Sequence, residues 1–276
     1  MPDVFAGLDL RLPVVMGIIN VTPDSFSDGG ETFAHDAAVE RGWQMVADGA
    51  KILDVGGEST RPGAAAVSVA EEIDRVVPVI DGLRGSGVVI SIDTRHARVM
   101  AAAVAAGAGV VNDVSALTGD DKSLEVACEL GVPVILMHMQ GTPENMQRAP
   151  SYENAPDEVH AYLADRVNAC VTAGFRADQI AVDPGIGFGK TQDHNLEILN
   201  RIEIFHDLAG PIVLGVSRKS FIGRLAGADD PHNRVPGSIA AAVLARQKGV
   251  QIFRVHDVPE TVQALAVADA IVQAGR

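Results

Sequence analysis

The chain has 276 residues, of which 47% are hydrophobic, so it is long enough to bury one large core. Its formal net charge of -14 argues against a nucleic-acid partner, because binding to a phosphate backbone needs a basic face. Cys128 and Cys170 lack metal-site spacing, and we expect reduced thiols. Neither a secretory signal nor a membrane-spanning apolar run occurs in the sequence, so we expect a cytoplasmic protein that does not associate with a membrane.

In chain order, the first predicted element is a hairpin between Val4 and Leu12, turning at Gly7 and lying outside the main sheet. Eight short apolar runs follow, each succeeded by a longer amphipathic pattern typical of a helix. The predicted strands are Val14 to Ile19, Ile52 to Val55, Val88 to Ile92, Val110 to Val111, Val132 to Met137, Ile180 to Val182, Ile212 to Val216 and Ile252 to Val255. The predicted helices are Ala34 to Gly49, Val69 to Gly85, Arg95 to Gly107, Lys122 to Gly131, Pro156 to Gly174, Asn195 to Phe205, Gly237 to Gly249 and Pro259 to Ala274.

Eight strand and helix pairs in a chain of this length predict the α/β class and a (β/α)8 TIM barrel, formed as one domain over residues 1–276. A doubly wound open sheet shares the same alternation and is the structural alternative. In a barrel the catalytic side chains gather at the C-terminal ends of the strands. Polar residues follow every predicted strand, and we expect them at that rim; they include Asn20, Asp54, Asp93, Asn112, Asp113, His138, Asp183, Ser217, Lys219, Arg254, His256 and Asp257. We attribute Asp113 and Asp257 mainly to helix capping.

The segment Asp183-Pro-Gly-Ile-Gly-Phe-Gly-Lys190 puts a carboxylate at a strand end and then three glycines, which allow a ligand to approach the backbone closely. It partly imitates a phosphate-binding P-loop, because Gly189, Lys190 and Thr191 supply the end of that motif. Pro184 stands where the first glycine of a P-loop belongs, and proline has no N–H to offer a phosphate. We therefore favour a binding floor over a P-loop here.

Acceptors on Asp93, Asn112 and Asp183, together with a donor on Lys219, suit a flat heterocycle that has an amino-amidine edge and a carbonyl. Two buried carboxylates need such a polar partner, because they otherwise repel each other. Arg254 and His256, beside Asn20 on the neighbouring strand, suit a diphosphate with Mg²⁺. The residues alone thus indicate a heterocycle, a diphosphate and a transfer reaction.

The motifs at these strand ends, in this order, resemble the dihydropteroate synthase family from about Val14 to Val258. They are Asn20-Val-Thr-Pro-Asp-Ser-Phe-Ser-Asp-Gly-Gly, Asp54-Val-Gly-Gly-Glu-Ser-Thr-Arg-Pro-Gly, Ser91-Ile-Asp-Thr, Asn112-Asp-Val-Ser, Met137-His-Met-Gln-Gly-Thr-Pro, Asp183-Pro-Gly-Ile-Gly-Phe-Gly-Lys, Gly215-Val-Ser-Arg-Lys-Ser and Arg254-Val-His-Asp. The resemblance implies a barrel transferase of folate biosynthesis that joins (7,8-dihydropterin-6-yl)methyl diphosphate to 4-aminobenzoate, with Mg²⁺. It also implies a homodimer formed through the outer helices of the later repeats.

The resemblance assigns roles to individual residues. For the pterin they are Asp93, Asn112, Met137, Asp183, Gly215 and Lys219; for the diphosphate, Asn20, Arg254 and His256, with Asn20 on the metal; for 4-aminobenzoate, Thr60, Arg61, Pro62, Phe188 and Ser220. The expected catalytic groups are Asp93, Asp183, Lys219 and, on the first loop, Asp28. Because Asp93 faces charge that spreads from the methylene carbon into the pterin, we expect an SN1-like displacement.

Two other functions remain open from the sequence. A desolvated Lys219 suits a Schiff-base aldolase built on the same kind of barrel. A pterin binder that transfers a methyl group, or that catalyses nothing, shares the heterocycle-binding residues but does not need Arg254 and His256. Neither His138 nor the segment from Gln140 to Ala155 receives a role from the sequence.

Overall fold

The computed structural model describes residues 3–22, 30–59, 67–208 and 210–274, apart from the side chains of residues 30–33. An antiparallel hairpin, β1 (Val4–Phe5) and β2 (Leu8–Asp9), precedes eight parallel strands, as predicted. These are β3 (Val14–Asn20), β4 (Ile52–Gly56), β5 (Val89–Asp93), β6 (Val110–Asp113), β7 (Val134–Met137), β8 (Ile180–Asp183), β9 (Val213–Leu214) and β10 (Ile252–Val255). The strands pair in the order β8-β7-β6-β5-β4-β3-β10-β9. A parallel bridge from Val182 to Ile212 joins the two ends, so the sheet is a nearly closed (β/α)8 barrel and the open-sheet alternative is wrong.

Helices surround the barrel, and glycines end several of them as the sequence predicts. Helix α5, for example, begins where Asn154 accepts a hydrogen bond from the backbone N–H of Asp157 and ends at Gly174, whose φ of 118° suits glycine. The helices are α1 (Gly30–Ala47), α2 (Val69–Gly82), α3 (Ala97–Ala106), α4 (Ser123–Leu130), α5 (Ala155–Ala173), α6 (Gln192–Asn200), α7 (Ser220–Ala226), α8 (Val235–Gln247) and α9 (Val258–Ala274). None of the helices described has the length and apolar character needed to cross a membrane.

Side chains alternate along each strand between the barrel interior and the surrounding helices. On β4, for example, Ile52 belongs to the interior cluster, whereas Leu53 and Val55 belong to the larger cluster beneath the helices. The hairpin contributes Phe5 and Leu10 to the interior cluster and so closes the N-terminal end of the barrel. The other buried members of that cluster are Val14, Met16, Val110, Ile135, Ala181, Val213 and Ile252.

The strand and helix limits differ from the prediction in a few places. Strand β7 begins at Val134 rather than Val132, because Pro133 has no N–H to donate to the sheet. The predicted helix from Asn195 to Phe205 is divided, since α6 ends at Asn200 and a separate 3-10 helix follows it. Helix α7 was not predicted.

Candidate active site

The register of the sheet brings polar residues of three strands, β3, β5 and β6, to one level of the C-terminal rim. Asn20 of β3 is the partner of Gly56 on β4, Gly56 is the partner of Asp93 on β5, and Asp93 is the partner of Asn112 on β6. Gly56 has no side chain, and a Cβ added there would lie 3.5 Å from the Cβ of Asp93. The rim therefore carries one amide, one acid and a second amide, as predicted.

Arg254 of β10 reaches across this rim and joins two carboxylates. Its Nε donates to Asp54 Oδ2 at 2.6 Å, and its Nη2 donates to Asp93 Oδ2 at 2.7 Å. Asn112 Nδ2 also donates to Asp54 Oδ2, at 3.1 Å. The residue predicted for the diphosphate and those predicted for the pterin thus belong to one hydrogen-bonded group.

Asp54 is the member of this group for which the sequence motifs predicted no role. It is completely buried, and its Oδ1 has no hydrogen-bond partner among the described residues. The alternation along β4 carries the missing signal: Asp54 is two residues after Ile52, so it has to face the interior. An acid at an inward position needs a cation opposite, and Arg254 is that cation.

The carboxyl group of Asp93 is held in an environment that disfavours its charge. Burial raises the pKa of Asp93 to about 7, against the opposing effect of Arg254, and the nearby acid Asp54 raises it further. Burial alone would lower the pKa of Arg254, but Asp54 and Asp93 raise that pKa above its ordinary value. Arg254 therefore stays charged, while Asp93 ionises close to neutral pH.

Asp183 and the glycines that follow it form the opposite side of the rim. Asp183 is the register partner of Met137 on β7, and its Oδ1 accepts a hydrogen bond from the backbone N–H of Gly185 at 2.7 Å. Its Oδ2 lies 3.9 Å from where a Cβ on Gly215 would stand. Burial raises the pKa of Asp183, and Gly185, Lys219 and Arg254 oppose that rise. The predicted pterin residues Met137, Asp183 and Gly215 are therefore neighbours.

Lys219 lies above the glycine turn, at the start of α7. Its Nζ is 4.1 Å from the centre of the Phe188 ring, a cation–π contact. Burial lowers the pKa of Lys219 to about 8, and Asp183 opposes this effect. A side chain on Gly187 would come within 3.1 Å of Lys219 Cδ. Lys219 is thus a cation that faces both the predicted pterin acid and a ring predicted to contact 4-aminobenzoate.

The turn between β9 and α7 is strained at Arg218, a non-glycine residue with a φ of 57°. Arg218 is held by a bidentate ion pair with Asp257, and its backbone N–H donates to Ser238 Oγ at 2.8 Å. Asp257, attributed above to helix capping, uses its carboxylate in this ion pair. The strain is compensated locally, and the turn presents Ser217 and Lys219 to the rim.

Ser217 orients His256 from this turn. Ser217 Oγ accepts a hydrogen bond from the backbone N–H of His256 at 3.1 Å, so its own hydrogen is available to His256 Nδ1 at 3.0 Å. Burial lowers the pKa of His256 to about 3, and Arg254 lowers it further. His256 is therefore neutral, with its hydrogen on Nε2.

Lys190 does not act as a P-loop lysine, because its amino group is turned away from the rim. It is 2% exposed, and its Nζ contacts His138 Nδ1 at 2.9 Å, the carbonyl oxygen of Gly185 at 2.9 Å and that of Phe188 at 3.0 Å. Its amino group is therefore used by the glycine turn and by His138, and burial lowers the pKa of Lys190 well below its ordinary value. These contacts contradict a P-loop interpretation of the segment.

Four predicted site residues, Asp28, Thr60, Arg61 and Pro62, lie outside the described residues.

Ser220 is the first residue of α7; it is exposed, and its Oγ accepts a hydrogen bond from Arg224 at 3.2 Å. Asp113 faces outward and accepts hydrogen bonds from the backbone N–H groups of Ser115 and Leu117, as expected for a turn-forming residue.

The donor atoms at the rim set limits on a metal site. Within the described ranges, no three His, Cys, Asp or Glu side chains are placed so that they could hold a metal ion. A Mg²⁺ bound mainly by water and substrate phosphates needs only one or two protein oxygens. The amide of half-buried Asn20 fits that requirement, whereas a metal held entirely by protein side chains does not fit the residues described.

Comparisons with known proteins agree with this geometry. The family model for pterin binding enzymes matches residues 16–256. The dihydropteroate synthase of Escherichia coli strain K12 is 47% identical over 268 residues, which are 97% of this chain and 94% of that protein. A solved structure of Xanthomonas albilineans dihydropteroate synthase with 4-aminobenzoic acid is 48% identical, with a TM-score of 0.90 over 96% of this chain and 94% of that one. Another from the same organism, in complex with 7,8-dihydropteroate, is 45% identical with a TM-score of 0.88 over 96% and 95%. The chain belongs to the dihydropteroate synthase family of pterin-binding enzymes.

Proposed function

We propose that the chain, in the cytoplasm, condenses (7,8-dihydropterin-6-yl)methyl diphosphate with 4-aminobenzoate to give 7,8-dihydropteroate and diphosphate, a step of folate biosynthesis. The observation that carries this proposal is the meeting of Asp93 and Asp183 with Lys219 and Arg254 at one rim, in a member of this family. The relatives from Xanthomonas albilineans that hold 4-aminobenzoic acid and 7,8-dihydropteroate support the choice of substrates.

The pterin ring is proposed to lie between the two acids. Asp183 Oδ1 is engaged with Gly185, which leaves Oδ2, on the side of Gly215, to accept N–H bonds from the amino-amidine edge. Asn112 gives one amide hydrogen to Asp54, so its oxygen is left to accept from the ring. Lys219 then donates to the pterin carbonyl, while Met137 contacts the ring.

The diphosphate is proposed to lie beside Arg254 and His256. Two nitrogens of Arg254 face carboxylates, and its Nη1 is the atom left to donate to a phosphate oxygen. His256 is neutral and donates through Nε2, because Ser217 occupies Nδ1. Asn20 would hold Mg²⁺, which, when bound, neutralises charge on the leaving diphosphate.

Asp93 is proposed to promote breaking of the bond between the methylene carbon and the diphosphate oxygen. The electron pair of that bond leaves with the diphosphate, and the resulting positive charge spreads into the pterin ring, where the Asp93 carboxylate stabilises it. The amino nitrogen of 4-aminobenzoate then forms the new carbon–nitrogen bond and loses a proton. A weak aniline nucleophile favours this order, because it captures a cation more readily than it displaces a leaving group.

For 4-aminobenzoate we propose contacts with Phe188 and Ser220, completed by Thr60, Arg61 and Pro62, and we propose that Asp28 joins the catalytic groups from the first loop. The support from geometry is that Phe188 lies against Lys219 and Ser220 is the next residue after that lysine. The second substrate would thus enter on the side of the pterin that faces solvent.

The direct test is release of diphosphate by the purified chain, with and without Mg²⁺. Release that requires both pterin diphosphate and 4-aminobenzoate supports the function, and release that does not depend on 4-aminobenzoate contradicts it. The same sample separates the alternatives: borohydride trapping of a carbonyl substrate on Lys219 would indicate an aldolase. Methyl transfer without diphosphate release would indicate the other pterin-binding function.

We further propose that the chain forms a homodimer through its later helices. Large apolar side chains are exposed on α8 and α9, namely Leu244, Val267, Ile271 and Val272. Exposed apolar side chains grouped in this way are typical of a protein interface. In light scattering, Leu244→Glu should give monomers, whereas the control Val171→Glu, on the exposed face of α5, should leave the molecular mass unchanged.

A further inference from the structure

The turn that carries Phe188 has its backbone carbonyl groups held from two sides. From inside the molecule, Lys190 donates to the carbonyl oxygens of Gly185 and Phe188, at 2.9 and 3.0 Å. From outside, Gln147 Nε2 donates to the carbonyl oxygen of Gly187 at 2.7 Å. A turn rich in glycine is free to rotate its peptide units, and these bonds remove that freedom.

Tyr152 makes the fourth hydrogen bond to a backbone carbonyl group of this turn: its hydroxyl donates to the carbonyl oxygen of Gly189 at 2.8 Å. Its ring packs edge-on against His194, with ring centres 4.9 Å apart, and lies at an angle to His138, 6.2 Å away. Tyr152 therefore has a defined orientation. It joins the end of the turn to the segment after β7.

That segment, residues 140–154, forms a folded unit that closes on itself. Gln140 Nε2 donates to the carbonyl oxygen of Ser151 at 3.1 Å, and Gln140 Oε1 accepts from the backbone N–H of Ser151 at 3.2 Å. Inside the loop, Asn145 Oδ1 accepts from the backbone N–H of Thr142 at 2.8 Å. Because these hydrogen bonds hold the segment in one conformation, Gln147 and Tyr152 contact the glycine turn from fixed positions.

We propose that Gln147 and Tyr152 are positioning residues for 4-aminobenzoate, acting through the glycine turn on Phe188. This inference rests on the proposed function, in which Phe188 contacts that substrate. Lys190 supports the same turn from below, and Lys219 lies 4.1 Å above the ring of Phe188. Asp183 is held by the end of β8 and by the backbone N–H of Gly185, whereas Gln147 and Tyr152 bond to Gly187 and Gly189, further along the turn. Loosening the outer bonds should therefore affect 4-aminobenzoate and leave the pterin diphosphate unaffected.

Kinetics of Gln147→Ala and Tyr152→Phe test this proposal. Each variant removes one hydrogen bond, so the KM for 4-aminobenzoate should rise about three- to tenfold, while the KM for pterin diphosphate stays within about twofold. Gln179→Ala is the control: at the opposite end of β8, Gln179 Nε2 donates to the carbonyl oxygen of Gly131 and its Oε1 accepts from the backbone N–H of Arg176, both at 3.1 Å. That variant should leave both KM values unchanged.

A double-mutant cycle with Phe188→Ala identifies the route of the effect. If Gln147 acts through Phe188, then Gln147→Ala should add little to the KM for 4-aminobenzoate in the Phe188→Ala background. Equal rises in both KM values, unchanged KM values, or full additivity with Phe188→Ala would each overturn the inference. A wild-type chain that forms no product would instead reject the proposed function, so the two failures are distinct.

Discussion

The two ends of the barrel interior are built from the same strands, but they carry opposite kinds of side chain. At the N-terminal end the inward residues are apolar and the hairpin covers them with Phe5. On several of these strands, the next inward position, two residues further along, is polar or charged. The successive pairs are Ile52 and Asp54, Val110 and Asn112, Ala181 and Asp183, and Ile252 and Arg254.

The apolar end of the barrel interior serves stability, whereas the polar end serves chemistry. Apolar burial at the hairpin end stabilises the fold and needs no partner. At the rim, Asp54 has a buried oxygen without a hydrogen-bond partner among the described residues, and burial disfavours the charge of Asp93. Charged groups held in this way cost stability and are available to a ligand. We therefore expect substitutions at the hairpin end to change stability and substitutions at the rim to change turnover.

Phe5→Ala should give the largest loss of stability. Phe5 is 1% exposed, and removing a fully buried phenylalanine side chain typically costs about 4 kcal/mol. Urea denaturation measures this loss, and kcat at a temperature where the variant is folded should remain that of the wild type. The neighbouring Val4, 53% exposed, supplies the control, because Val4→Ala should be nearly neutral. A Phe5→Ala chain with full stability would show that the hairpin does not close the core.

Asp93→Asn should give the largest loss at the rim. Losing a charge placed to stabilise the developing cation costs about 3 kcal/mol in the barrier, or roughly a hundredfold in kcat. Steady-state kinetics with calorimetric titration of the pterin substrate should show turnover falling far more than affinity, with no loss of melting temperature. Asp178→Asn, on the surface before β8, is the control. Weak binding combined with normal turnover would contradict an electrostatic role for Asp93.

Lys190→Met tests whether a buried amino group can serve the stability of the fold even beside the rim. The substitution leaves the carbonyl groups of Gly185 and Phe188 without their donor, so we expect a loss of about 2 kcal/mol in the free energy of unfolding. The exposed Lys122, which pairs with Glu125, provides the comparison, and Lys122→Met should have little effect. Equal stability of the two variants would mean that Lys190 does not brace the turn.

The pH dependence of kcat/KM should follow two rim groups. The carboxylate form of Asp93 is lost as the pH falls below about 7, and the cationic form of Lys219 is lost as the pH rises above about 8. Activity should therefore be highest between these values and fall by up to tenfold per unit on each side. In Asp93→Asn the fall at acid pH should disappear. An acid limb that persists in the variant would assign that limb to another group.

Much of the fold could be predicted from the sequence, because it depends on local patterns. Eight apolar runs, each followed by a helical pattern, predicted a barrel, and the bridge from Val182 to Ile212 distinguishes it from an open sheet with the same alternation. Short elements were not predicted correctly. Helix α7 has seven residues and lacks an amphipathic pattern long enough to detect. Strand β9 is two residues long, whereas the apolar run from Ile212 to Val216 predicted five, since hydrogen bonding rather than composition limits a strand.

The site could be predicted in part. Motifs at the strand ends identified Asp93, Asn112, Asp183 and Lys219, and the structure brings them together. The role of Asp54 was missed, although the alternation along β4 contained the signal. Which residues hold the glycine turn could not be predicted, because the bonds from Gln147 and Tyr152 span 40 and 37 residues of chain and depend on how a loop folds.

The central claim is that the rim stabilises a cation at the methylene carbon before the new bond forms. The most direct measurement is the rate with pterin diphosphate that carries deuterium on that carbon, under conditions where bond breaking limits turnover. Bond breaking before bond formation predicts a clear normal secondary isotope effect, because the carbon becomes trigonal as the diphosphate leaves. A rate unchanged by deuterium, with the bond-breaking step still limiting, would contradict it and indicate direct displacement by the amine.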